Sequence, residues 1–65
     1  MKDEQDFKPT VLVADDEEKT RRVLKLTLQD RYNVLLAADG KQALSILSQE
    51  PVHVVLADLR MPGLS

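Results

Sequence analysis

The chain is predicted to be an α/β domain built on a three-stranded parallel sheet. Three short apolar, β-branched runs carry that prediction: residues 10–14, 33–38 and 52–57. Between them lie two segments whose apolar residues recur at helical spacing, and the connections are short. The order is therefore strand, helix, strand, helix, strand, and the helical crossovers require parallel strands. The first and third runs each end in aspartate, at the carboxyl ends where open α/β sheets place their chemistry.

Residues 1–8 are polar and charged without any period, and read as a flexible arm ahead of one small domain spanning 9–65. Pro9 closes the arm. Thr10-Val11-Leu12-Val13-Ala14 is then a strand that runs into Asp15-Asp16. Residues 17–30 read as a helix, with Thr20, Val23, Leu24, Thr27 and Leu28 facing inward. Acidic residues at its start suit the positive end of the helix dipole. Arg21, Arg22 and Lys25 read as a solvated face.

Asn33 to Ala38 form the second strand. Asp39, three residues before Gln42, has the spacing of a capping box for a helix over 41–49. That helix is expected to bury Ala43, Leu44 and Leu47, with Ile46 at its margin. Glu50-Pro51 ends it. The run Val52-His53-Val54-Val55-Leu56-Ala57 is apolar on both faces, as a parallel strand covered on both sides would be. It delivers Asp58 at its carboxyl end, and Pro62-Gly63 marks a turn beyond. His53 lies at the opposite end of this strand, too far along the sheet to act on the acids at ~3.3 Å per residue.

Right-handed crossovers limit the arrangement. With the strands in order 2-1-3, the helices cover opposite faces, and the first and third strands are neighbours. Asp15, Asp16 and Asp58 then meet at one edge of the sheet. Two carboxylates ~4 Å apart repel by about 4 kcal/mol at an effective dielectric near 20. Either one of them holds a proton, or a cation sits among them. A hard divalent ion, Mg²⁺ above all, matches carboxylates, a carbonyl and waters. A free oxygen of Asp58 can then attack a phosphoryl group. A plainer reading of Asp15 or Asp16, as the cap of the first helix, stands beside this one.

Composition narrows the classes further. The 65 residues include no cysteine, so disulfides and thiolate metal sites are excluded. No signal-peptide pattern or membrane-length apolar run is present, and a cytoplasmic protein is expected. The net charge of −2, with both signs interspersed, and an aromatic content of 3% give no support to direct nucleic-acid binding. Acids rather than a Gly-rich loop follow the first strand, against a nucleotide-binding domain. A haloacid-dehalogenase-type phosphatase would need an Asp where Arg60 stands.

The runs Val11-Leu12-Val13-Ala14-Asp15-Asp16-Glu17, Ala37-Ala38-Asp39-Gly40-Lys41-Gln42-Ala43-Leu44 and Val54-Val55-Leu56-Ala57-Asp58-Leu59-Arg60-Met61-Pro62-Gly63 resemble the response-regulator receiver domains of two-component signalling. The resemblance implies a flavodoxin-like (CheY-like) fold, of which this chain is the amino-terminal βαβαβ half. It implies Asp58 as phosphoacceptor, phosphorylated by a histidine kinase in self-catalysed transfer, so that the chain is a substrate rather than an enzyme. It also implies Mg²⁺ held by Asp16, Asp15 and Asp58 together with the backbone carbonyl of Arg60. The run from Leu56 to Ser65 looks most like receivers attached to transcriptional regulators. Family receivers have about twice this length, and the hydroxyl and lysine that contact the phosphoryl group have no counterpart here. Phosphorylation is accordingly expected to be impaired. In the 2-1-3 order the third strand is a sheet edge, so the incomplete fold is expected to be completed by homo-oligomers formed through that edge. The competing expectation is a truncated or engineered half-domain that serves only as a structural or oligomerisation module.

Overall fold

Strand and helix alternate along the chain as the pattern requires, and a computed structural model describes residues 7–58. The elements are β1 (Thr10–Ala14), α1 (Glu18–Leu28), β2 (Asn33–Ala37), α2 (Gly40–Gln49) and β3 (Val54–Ala57). All pairings are parallel and the strand order is β2-β1-β3. Val11 stands opposite Val34 and Val54, and Ala14 stands opposite Ala37 and Ala57.

β1 is central, and its composition shows why. Val11, Leu12, Val13 and Ala14 are all buried, since neighbouring strands cover both edges and helices cover both faces. On one face Leu12, Ala14 and Ala37 form a cluster with Ala43 of α2, joined by Leu35, Ile46 and Val52. On the other face Val13, Leu24 of α1 and Leu56 line a shared hollow. Full burial of a residue such as Leu12 contributes about 1.5–3 kcal/mol.

Both helices start slightly apart from their sequence-derived limits. α1 begins at Glu18 and ends at Leu28; Gln29 caps it, and Arg31 N and Tyr32 N both donate to Leu28 O, turning the chain toward β2. α2 has Asp39 as its N-cap, whose Oδ1 accepts from Gln42 N at 2.8 Å. The return bond of the capping box is displaced by one residue: Gln42 Oε1 accepts from Ala38 N at 2.6 Å. The side chain thus ties the end of the strand segment to the helix it caps.

The inward faces are rotated from those expected. In α1 the half-buried residues are Thr20, Arg21, Leu24 and Leu28, whereas Val23 and Thr27 are exposed. Arg21 therefore does not belong to the solvated face. In α2 Gly40 and Ala43 are buried and Ile46 is half-buried, while Leu44 is 60% and Leu47 41% exposed. Small residues at 40 and 43 let this stripe approach the sheet closely, and the leucines then lie on the flank. Both helices sit over β1 and β2; among the described elements neither packs over β3. The third strand is thus the exposed sheet edge that the 2-1-3 order implies. Val54, Val55 and Leu56 are 43%, 46% and 42% exposed, on a strand that among the described residues pairs only with β1.

The amino-terminal side carries contacts of its own. Asn33 Nδ2 donates to Lys8 O and Lys8 Nζ donates to Gln29 O. Phe7 meets His53 edge-on, with ring centroids 5.6 Å apart. His53 Nδ1 accepts from Thr10 N at 3.0 Å, and His53 N donates to Thr10 O at 2.9 Å. The histidine thus clamps the start of the β1–β3 pair, at the far end from the acids.

Candidate functional site

The acids converge because the strand ladder continues one residue past each strand. Ala14 and Ala57 are partners in register, so the residues that follow them leave the sheet side by side. Asp58 N donates to Ala14 O at 3.0 Å, and Asp15 N donates to Ala37 O at 3.0 Å. Each aspartate is hung from the sheet by its own amide.

Asp15 is held at every polar group of its main chain. Beyond its amide, its carbonyl accepts from Arg21 Nη1 at 2.8 Å. Its side chain is engaged too, since Oδ1 accepts from Glu17 N at 2.9 Å and closes an Asx turn. The cap of α1 is Glu17, whose backbone is extended and whose side chain makes no capping bond to the helix amides. Instead Glu17 Oε1 accepts from Thr20 Oγ1 at 2.7 Å. Neither Asp15 nor Asp16 is the helix cap, so that plainer reading falls.

One carboxylate oxygen from each of Asp15, Asp16 and Asp58 lies within 4.8 Å of the others. Asp15 and Asp58 are half-buried and Asp16 is exposed. With Glu17 and Thr20 they line an open hollow of ≈ 550 Å³ above the carboxyl ends of β1 and β3. No cation lines it among the described residues, and the positive end of α1 faces the same side. The donor set is oxygen alone, which suits a hard cation. Its spacing is a small side-chain adjustment away from the roughly 3–4 Å between ligand oxygens around a Mg²⁺ held at ~2.1 Å.

The structure thus brings together three of the four expected ligands. The fourth, the backbone carbonyl of Arg60, lies outside the described residues, as does the Met61-Pro62-Gly63 turn. Glu17, Thr20 and Arg21 are parts of this region that the sequence reading did not assign to it. The signal for Glu17 and Thr20 was the length of the β1–α1 connection: three residues place the first turn of the helix directly against the strand end.

Comparison with known proteins gives a consistent pattern. Residues 11–65 match the family model described as the response regulator receiver domain. The chain is 42% identical over 60 residues to the hydrogenase transcriptional regulatory protein HoxA of Cupriavidus necator, covering 92% of this chain and 12% of that protein. It is 41% identical over 56 residues to the response regulator GtcR of Aneurinibacillus migulanus, covering 85% of this chain and 23% of that protein. The solved structure of the chemotaxis response regulator CheY4 of Vibrio cholerae superposes with a TM-score of 0.83 at 37% identity, covering 86% of this chain and 48% of that one. The chain therefore spans about half the length of CheY4 and a smaller share of the two regulators.

Proposed function

Since this chain belongs to the response regulator receiver domains, we propose that Asp58 is its phosphoacceptor and that Asp15, Asp16 and Asp58 hold Mg²⁺ beside it. The observation that carries this reading is the convergence of three carboxylates from two neighbouring strand ends into one open hollow. A carboxylate oxygen of Asp58 attacks the phosphorus of a phosphohistidine or a small acyl phosphate. The new O–P bond forms as the P–N bond, or the P–O bond to the acyl group, breaks. The imidazole or carboxylate departs with the bonding pair. Mg²⁺, when bound, neutralises phosphoryl charge that three carboxylates would otherwise repel. The carbonyl of Arg60 is assigned as a further ligand by family resemblance. Asp15 is fixed by its amide, carbonyl and Oδ1, so it enters the site already oriented; Asp16 at the exposed rim offers its oxygens to the incoming ion.

The donor is a histidine kinase, which makes the chain a substrate in signalling and places it in the cytoplasm. The test is incubation with radiolabelled acetyl phosphate and MgCl₂. Acid-stable, base-labile label that disappears in D58N and without Mg²⁺ supports the reading; label retained in D58N overturns it.

The exposure of β3 favours a second reading, in which the isolated chain is an assembly module. Val54, Val55 and Leu56 present apolar side chains on both faces of an edge strand. Two copies of the chain pair through that edge about a two-fold axis, β3 against β3. Sedimentation velocity at micromolar concentration decides it: a folded monomer at all concentrations rules the pairing out.

A further inference from the structure

We propose that Arg21 is a positioning residue for the metal-binding carboxylates, acting through the main chain of Asp15. The inference rests on the reading of the hollow as a Mg²⁺ site and adds a residue to it. Asp15 is the point where the chain leaves the sheet: its amide still bonds Ala37 O, but among the described residues its carbonyl accepts from no backbone amide. The first helical bond of α1 runs from Arg21 N to Glu17 O, which leaves the Asp15 carbonyl outside the helix. The Arg21 guanidinium fills that gap at 2.8 Å, from a half-buried side chain on the inward face of α1. A charge-assisted bond of this kind is stronger than a neutral one.

The bond closes a short loop of structure. Residues 15–17 connect β1 to α1, and Arg21 joins the helix end of that connection to its strand end. With the Asx bond from Glu17 N to Asp15 Oδ1, it fixes the direction in which Asp15 and Asp16 leave the sheet. Arg21 is bonded to the carbonyl rather than to a carboxylate oxygen, which leaves the acids to the ion.

Charge and positioning have opposite signs here, and that separates them. A cation beside an acidic hollow repels Mg²⁺, so deleting the charge alone tightens binding. Releasing the turn weakens it. Mg²⁺ affinity is measured by NMR titration with MgCl₂ on the full chain, in wild type, R21M and R21K, alongside amide exchange at Glu17 without metal. R21M is expected to weaken Mg²⁺ by roughly tenfold or more, the scale seen for residues that orient ligands. Its Glu17 amide exchanges faster, and R21K recovers most of both. Mg²⁺ binding by folded R21M as tight as wild type, or tighter, overturns the proposal. If wild type itself binds no Mg²⁺, the metal reading fails separately, and unchanged Glu17 exchange in R21M then overturns the clamp. Should R21M not fold, R21Q carries the same two measurements.

Discussion

At the scale of single residues, the site depends on where an oxygen is already committed. Asp15 Oδ1 accepts from Glu17 N, whereas Asp16 is exposed at the rim. Asp16 is therefore the proposed ligand whose loss is least complicated by folding, and D16N is expected to abolish Mg²⁺ binding while leaving the far-ultraviolet circular dichroism unchanged. A second residue-scale prediction concerns Asp39, whose Oδ1 caps α2 through Gln42 N. D39A is expected to lower stability by about 1 kcal/mol in urea titration, the usual cost of removing such a cap. Asp39 and Gln42 were legible from their spacing, and so was the convergence of Asp15, Asp16 and Asp58. Arg21 was not. A long cation beside others on a helix looks like solvated surface, and nothing in local sequence shows that the Asp15 carbonyl lies within its reach.

At the scale of elements, each strand was legible from its β-branched run and each helix from its spacing, but the helix faces were not. Periodicity identifies a stripe of apolar residues without saying how much sheet lies beneath it. α2 turns Gly40, Ala43 and Ile46 inward and leaves Leu44 and Leu47 on its flank, because its small residues come closest to β1 and β2. β3 is the element most affected by what does not cover it. V55K places a charge at the middle of the exposed edge strand, a device that blocks strand pairing. It is expected to shift the chain toward monomer in sedimentation velocity, with no loss of helical signal.

At the scale of the molecule, the core is a thin layer on each side of one strand. Leu12 is 0% exposed and central to the cluster of Ala14, Ala37 and Ala43. L12A is expected to cost about 2–5 kcal/mol, as much as a domain of this size holds in total. Its urea transition should move to little or no denaturant. On the proposed reading Mg²⁺ would act in the opposite direction, since an ion bound only by the folded chain stabilises it by mass action. Adding MgCl₂ is expected to raise the thermal midpoint of wild type and to leave that of D16N unmoved.

The clamp of His53 on Thr10 lies at one end of the β1–β3 pair, and Asp58 at the other. Both helices cover β1 and β2 and neither covers β3 among the described elements, so warming should open the β1–β3 pair before the β1–β2 pair, carrying Asp58 away while Asp15 and Asp16 stay anchored to the middle of the sheet. The pocket then comes apart in two stages, and helical ellipticity, which follows neither β3 nor Asp58, overstates the temperature up to which the three acids remain together.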